Sequence, residues 1–328
     1  MCQRSLTIIN PHYKKLAEQG HCSVRRFSLQ PDYKITVPCG HCDECLKKRQ
    51  QQWYSRADHL FKRMKLKPEQ CLFCTFTLKP SEYEEAKEKP YLPIRRFLDR
   101  VRKHPRFIIG KNRRGKPIYR KVKFPYFFCV EFADGSRAAE RGLPSEHRMH
   151  YHAILFNPPL YWWQIRDLWQ GEFLGHGSDW YTGMGKAVVE PLESMAGVRY
   201  VMKYVTKDRK ECQYVSDIDA RKNGKIIVSH GFGRLSKEDI KIMRRQMLRN
   251  DESWFCHYIN NYRYSIPRYW KQACFTKEEI KTRNEVLIPP LIWRMVCNRW
   301  PRLSLRKKCL IYSNFVINGS YVLEPPKE

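Results

Sequence analysis

His147-Arg-Met-His150-Tyr151-His152-Ala-Ile-Leu-Phe156 is the stretch from which the fold is read. Its second half is apolar and β-prone, which makes residues 148–156 a strand. Side chains alternate along a strand, so His150 and His152 share one face and Tyr151 takes the other. Two neutral imidazoles so placed can grip one divalent ion. A bare His-x-His also occurs as two solvated polar residues on a wet sheet face. Here the continuation Ala153-Ile-Leu-Phe156 argues for a buried centre.

A second segment lies about fifty residues on: Tyr200-Val-Met-Lys203-Tyr204-Val-Thr-Lys207. Read as a helix, it sets Tyr200 and Tyr204 one turn apart on one face and Lys203 and Lys207 on the adjacent face. A phenol is a plausible nucleophile toward a phosphate polarised by a metal, with an ammonium favouring its phenolate. Taken alone, the segment reads equally as an amphipathic helix burying two tyrosines.

The 62 Lys and Arg against 33 Asp and Glu leave a formal charge of +29, which calls for a polyanionic partner, nucleic acid first. The basic residues run through the whole chain, and 13% aromatics among them suit a groove that neutralises phosphates while rings stack on bases. No apolar run approaches the ~20 residues that span a bilayer, so no membrane role is expected. Residues 1–10 lack a signal-peptide pattern. Thirteen cysteines, an odd number without an export signal, fit reduced thiols plus one metal cluster, and a cytoplasmic site of action.

That cluster is Cys39-Gly-His41-Cys42-Asp-Glu-Cys45. Zinc takes four soft ligands, and three thiolates at this spacing supply three, with Cys2 or Cys22 as the fourth. An iron–sulfur cluster shares the spacing. From Leu46 a helix is expected, with Trp53, Ala57, Leu60, Phe61 and Met64 as its apolar stripe. Cys71-Leu-Phe-Cys74-Thr-Phe-Thr-Leu78 is a strand whose cysteines read as core residues on opposite faces. Residues 81–105 read as one basic helix. Gly110-Lys-Asn-Arg113-Arg114-Gly115-Lys116-Pro117 imitates a phosphate-binding loop, but proline stands where Ser or Thr must meet magnesium. It reads as a basic hairpin turn able to lie on DNA through Arg113, Arg114 and Lys116.

Phe124–Phe132 is the next strand, expected to pair with the histidine strand; its one acid, Glu131, is costly there unless paired or metal-bound, or else it faces water at the strand end. Residues 161–170 form an aromatic helix, 187–191 a strand, 209–235 a loop with a Gly231-Phe-Gly233 turn, 236–250 a capped basic helix and 276–300 a helix broken by Pro289-Pro290. The fold class is therefore α+β, an antiparallel central sheet flanked by helices, with an N-terminal Cys-rich metal knuckle. The expected segments are 1–70 (knuckle and basic helix), 71–235 (core) and 236–328 (basic and largely helical).

Taken together, the histidine and tyrosine segments resemble the HUH endonucleases, in the paired-tyrosine form of replication initiators of small single-stranded DNA phages, Microviridae of gokushovirus type in particular. Val37-Pro-Cys-Gly-His-Cys-Asp-Glu-Cys45, Thr75-Phe-Thr-Leu78, Gly231-Phe-Gly233 and Ile266-Pro-Arg-Tyr269 look like further landmarks of that family. The resemblance implies a ferredoxin- or RRM-like palm in which Mg²⁺ or Mn²⁺ sits on His150, His152 and a third ligand matching Glu131. It implies attack by Tyr200 or Tyr204, assisted by Lys203 or Lys207, on an origin in single-stranded DNA, leaving a 5′-phosphotyrosine. It implies rolling-circle replication in the cytoplasm of a bacterial host, with unwinding and synthesis left to a host helicase and polymerase. The competing readings are a non-catalytic, zinc-containing nucleic-acid-binding protein and an HUH transposase or plasmid initiator.

Overall fold

The computed structural model describes residues 6–9, 18, 34–40, 42–132, 149–171, 182–204 and 225–318. Contacts divide the chain into two compact units, Gln50–Arg234, and Met1–Arg49 with Leu235–Glu328. Among the described residues no helix is long and apolar enough to cross a membrane.

In chain order, β1 (Leu6–Ile9) pairs antiparallel with β2 (Lys34–Val37), and α1 (Asp43–Arg63) follows. Then come β3 (Cys71–Thr77), α2 (Pro80–Glu88), α3 (Tyr91–Arg102) and the hairpin β4 (Ile108–Lys111) and β5 (Pro117–Tyr119). Next are β6 (Tyr126–Phe132), β7 (Met149–Phe156), α4 (Trp162–Gln170), β8 (Ala187–Pro191), α5 (Met195–Tyr204) and β9 (Ile226–Val228). The second unit continues with α6 (Lys237–Arg249), the single turn α7 (Glu252–Phe255), the hairpin β10 (Cys256–Ile259) and β11 (Tyr262–Ser265), α8 (Arg268–Cys274), α9 (Lys277–Arg299) and α10 (Leu305–Asn318).

The central sheet has five strands in the order β8-β3-β7-β6-β9, every neighbour antiparallel. The histidine strand β7 is its middle strand, so both its backbone edges are paired and it is buried almost throughout. This is the α+β class expected from the sequence. Register sorts the residues of the three inner strands onto two faces. Leu72, Cys74, Phe76, Phe128, Val130, Tyr151, Ala153 and Leu155 pack under α2, α3 and α4 as the main core. Cys71, Phe73, Thr75, Thr77, Phe127, Cys129, Glu131, His150, His152, Ile154 and Phe156 face the other way.

The histidine face is covered by α1 and α5. Tyr54, Ala57 and Leu60 of α1 are buried, while Trp53 meets Phe127 edge-on at 5.5 Å. The expected stripe therefore holds at Ala57 and Leu60 but is centred nearer Tyr54, and Ser55 and Asp58 are buried with it. Their polar atoms are answered locally: Ser55 donates to the Gln51 carbonyl at 2.8 Å, and Asp58 pairs with Lys62 at 2.8 Å.

Several expectations need correction. The helix after the cysteines begins at Asp43, not Leu46, so Cys45 lies in its first turn. The helix expected over 81–105 is two helices, because Pro90 cannot continue the first and instead opens the second. Residues 209–235 contain an edge strand, β9, whose three residues are too few to show a period. Helix α9 runs unbroken through Pro289-Pro290. The prolines withdraw two backbone donors, but both flanks are anchored, by the Thr276–Glu279 capping box and by Ile292 and Val296 packing with Ile311.

Candidate metal centre and tyrosine helix

The antiparallel register of β6 against β7 sets Glu131 directly opposite His150, and Cys129 opposite His152. Residues of matching parity on paired strands project to the same face, so one carboxylate and two imidazoles converge. The Nε2 atoms of His150 and His152 lie 3.0 and 2.6 Å from Glu131 Oε2. The donor atoms of all three residues lie within 4.8 Å of one another. Glu131 is 2% exposed, His152 is buried and His150 is partly open.

β3 supplies the support. Thr75, opposite His152 in the ladder, places its Oγ1 3.2 Å from His152 Nδ1. A partner on Nδ1 fixes the ring's orientation and leaves Nε2 as the ligating nitrogen. Phe73 stacks on His152, ring planes 9° apart and centroids 6.3 Å apart. Sequence reasoning singled out the Thr75–Leu78 strand without giving Thr75 this place. The parity rule that paired the histidines would have found it once the β3–β7 register was known.

Two nitrogens and one carboxylate oxygen in a shielded recess suit a divalent ion of borderline or hard character. The buried carboxylate fits this reading on its own chemistry, because a lone charge there would be costly.

The tyrosine segment is helical as expected up to Tyr204, and α5 packs on β6 and β7, the strands that carry the three donors. Val198, Val201 and Met202 are buried beneath it. Tyr200 is 48% exposed, and its ring sits edge-on to Phe73 at 6.1 Å. Tyr200, Phe73 and His152 thus form a chain of ring contacts from the helix to the centre. Lys203 Nζ lies 5.9 Å from the Tyr200 ring centroid. The Tyr204 side chain and Lys207 lie outside the described residues.

Tyr151, between the two histidines, is excluded as a nucleophile. It points to the opposite core, donates its hydroxyl to the Pro90 carbonyl at 3.0 Å, and burial holds its pKa well above the ordinary phenol value. Cys71 and Cys74 are fully buried on opposite faces, as expected, and burial pushes the Cys71 thiol up to about 11. Neither is a ready thiolate.

At the other candidate centre, the sulfurs of Cys39, Cys42 and Cys45 lie within 4.8 Å of one another. Gly40, at φ +77° in open space, allows the tight turn, and the Cys42 N–H donates to Cys39 Sγ at 3.3 Å. Three converging sulfurs suit a soft or borderline ion such as zinc. Cys2, Cys22 and His41 lie outside the described residues. Arg113, Arg114 and Lys116 stand exposed on the β4–β5 turn, where Asn112 Oδ1 accepts from the backbone N–H groups of Arg114 and Lys116.

Residues 71–209 match a family model described as replication-associated protein, of the ORF2 type. That segment belongs to this replication-associated family. The match agrees with the resemblance to viral rolling-circle replication initiators. It runs from β3 past the end of α5, so it takes in Thr75, Glu131, both histidines and both tyrosines. The cysteine cluster and the helical C-terminal region fall outside it. No curated protein and no solved structure matches the chain.

Proposed function

We propose that this replication-associated protein initiates rolling-circle replication by nicking and rejoining single-stranded DNA at a viral origin. The observation that carries the reading is the convergence of Glu131, His150 and His152 beneath the helix that bears Tyr200. These three side chains would hold a divalent ion, Mg²⁺ or Mn²⁺, which when bound supplies Lewis-acid polarisation of the scissile phosphate. Tyr200 or Tyr204 attacks through its phenol oxygen. A bond forms from that oxygen to phosphorus, the bond from phosphorus to the 3′ oxygen breaks, and the 3′ oxygen leaves as a hydroxyl. The product is a 5′-phosphotyrosine and a free 3′ end, which keeps the energy of the broken ester for rejoining. Lys203 and Lys207 neutralise charge gathering on the phosphate. Arg113, Arg114 and Lys116 contact the strand's backbone. Cys39, Cys42 and Cys45, with Cys2 as a fourth ligand, hold a structural zinc outside the chemistry. A host helicase and polymerase, in the bacterial cytoplasm, complete the cycle.

The experiment is to incubate the protein with Mn²⁺ and a randomised single-stranded DNA pool and look for a covalent adduct. The wild type is expected to form one. Tyr200→Phe and Tyr204→Phe singly each retain some adduct, and the double variant forms none, because phenylalanine keeps the packing and deletes only the hydroxyl. An adduct that persists in the double variant places the nucleophile elsewhere. A wild type that binds DNA tightly and never becomes attached to it is a binding protein.

A further inference from the structure

Helix α4 satisfies its core side completely. Ile165 and Trp169 are fully buried, and Trp169 Nε1 donates to the Thr77 carbonyl at 2.9 Å. Trp169 stacks on Phe76 with ring centroids 4.5 Å apart. The start of the same helix leaves three large rings in solvent: Tyr161 is 60% exposed, Trp162 41% and Trp163 45%. Isolated exposed apolar residues are ordinary, but three consecutive large aromatics are not.

Their arrangement is ordered. The Tyr161 and Trp163 rings are parallel within 9°, with centroids 6.1 Å apart. The Arg106 guanidinium lies 5.6 Å from the Tyr161 ring centroid and that of Arg166 5.6 Å from Trp162. Arg166 is also paired with Asp167 at 2.9 Å, so Arg106 is the more available cation of the two. Arg106 comes from the segment leading into the β4–β5 hairpin, and between Arg100 and Lys123 the chain carries basic charges and no Asp or Glu. Flat π-faces next to guanidinium groups, on a stretch of one sign, match the two needs of a single strand: stacking for bases and cations for phosphates.

We infer that Tyr161, Trp162 and Trp163, with Arg106 and Arg166, form a second binding surface for single-stranded nucleic acid, on the face of the sheet opposite Glu131, His150 and His152. The opposition follows from the ladder: α4 packs over Tyr151 and Phe76, whose side chains point away from the histidine face. A strand held here lies apart from the Glu131–His152 centre, so the surface contributes affinity and positioning and no chemistry. It does not depend on the nicking reading.

The test measures anisotropy of a labelled oligo-dT, and of oligo-U to separate DNA from RNA, with a chelator present so that cleavage plays no part. Tyr161→Ala/Trp162→Ala/Trp163→Ala is expected to weaken binding at least tenfold without changing its salt dependence, because rings and not charges are removed. Arg106→Ala is expected to lower the slope of log affinity against log salt by about one. Tyr161→Phe, which keeps the ring, is expected to bind like wild type. Circular dichroism checks the fold, and if the triple variant unfolds, Trp162→Ala and Trp163→Ala singly give the reading, each weakening binding. A folded variant within twofold of wild-type affinity overturns the proposal. So does one that keeps its nucleic-acid affinity while losing self-association or capture of an acidic protein, which would make this a protein-docking face.

Discussion

A carboxylate at 2% exposure in the middle of a β-sheet is the residue that most needs explaining. Glu131 gives up its hydration and receives two imidazole nitrogens in return, at 3.0 and 2.6 Å. That exchange is favourable as an ion pair or as a ligand set, and the convergence of three donor atoms favours the second. Glu131→Gln keeps the shape and removes the charge. Isothermal titration with Mn²⁺ should find binding weakened at least about tenfold, the size expected when a metal's shell loses a partner, with the fold intact by circular dichroism. Unchanged Mn²⁺ affinity would remove Glu131 from the centre. His150 and His152 were visible as a pair in the bare sequence, because a period of two needs no knowledge of partners. The pairing of Glu131 with His150, and of Thr75 with His152, depends on register between strands far apart in the chain.

At the scale of elements, the turn Gly231-Phe-Gly233 shows what a family landmark does physically. Phe232 is buried against Trp53, Phe127 and Phe156. Arg56 of α1 reaches the Phe232 carbonyl with Nη2 at 2.6 Å and Nε at 3.1 Å, its guanidinium 4.2 Å from the Trp53 ring centroid. Gly233 takes φ +62°, and a Cβ there would come within 2.6 Å of the Arg56 carbonyl oxygen, so only glycine allows this approach. Arg56→Ala removes the forked bond and the stacked cation together. We expect a loss of about 2 kcal/mol, the worth of a charge-assisted hydrogen bond plus a modest cation–π contact, read as a lower denaturant midpoint. Arg56→Lys should restore only part of it, since an ammonium cannot fork. In sequence Arg56 was one of several basic residues on a helix face; only its partner's position distinguishes it.

Helix α8 carries a different signal. Burial, with Lys48 adding repulsion, lowers the Lys271 ammonium to about 8 from 10.5. Its Nζ lies 4.5 Å from the Trp254 ring centroid. Between those two values the unfolded chain holds more protons at this site than the folded one, so its contribution to stability grows as pH rises through the window. Lys271→Met removes the titration. The gap between variant and wild-type unfolding midpoints should therefore shift in the wild type's favour from about pH 8 to 10.5. A gap that stays constant would mean that Lys271 titrates normally.

On the scale of the whole molecule, a formal charge of +29 spread over both units makes affinity for nucleic acid a collective property. The cysteine cluster belongs to the unit formed by the chain's two ends. If it holds zinc, the metal's binding energy is folding energy for that unit. Elemental analysis of the purified protein should find roughly one zinc per chain, and Cys42→Ser should lose it and unfold at a lower temperature. Iron in place of zinc would make the centre a cluster, and neither metal would reduce the three cysteines to neighbours.

The sequence by itself determined the strands, the alternation that puts His150 and His152 on one face, the helix that carries Tyr200, and the charge that calls for a nucleic acid. Each of these is local or additive: a period of two, a period of 3.6, a sum of charges. The tertiary structure alone decided which acid joins the histidines, which threonine orients one of them, which arginine clamps the Phe232 turn, and that Tyr161, Trp162 and Trp163 stay in solvent while Trp169 is buried. Those outcomes are set by register and by packing between segments distant in sequence, and no window along the chain contains both partners.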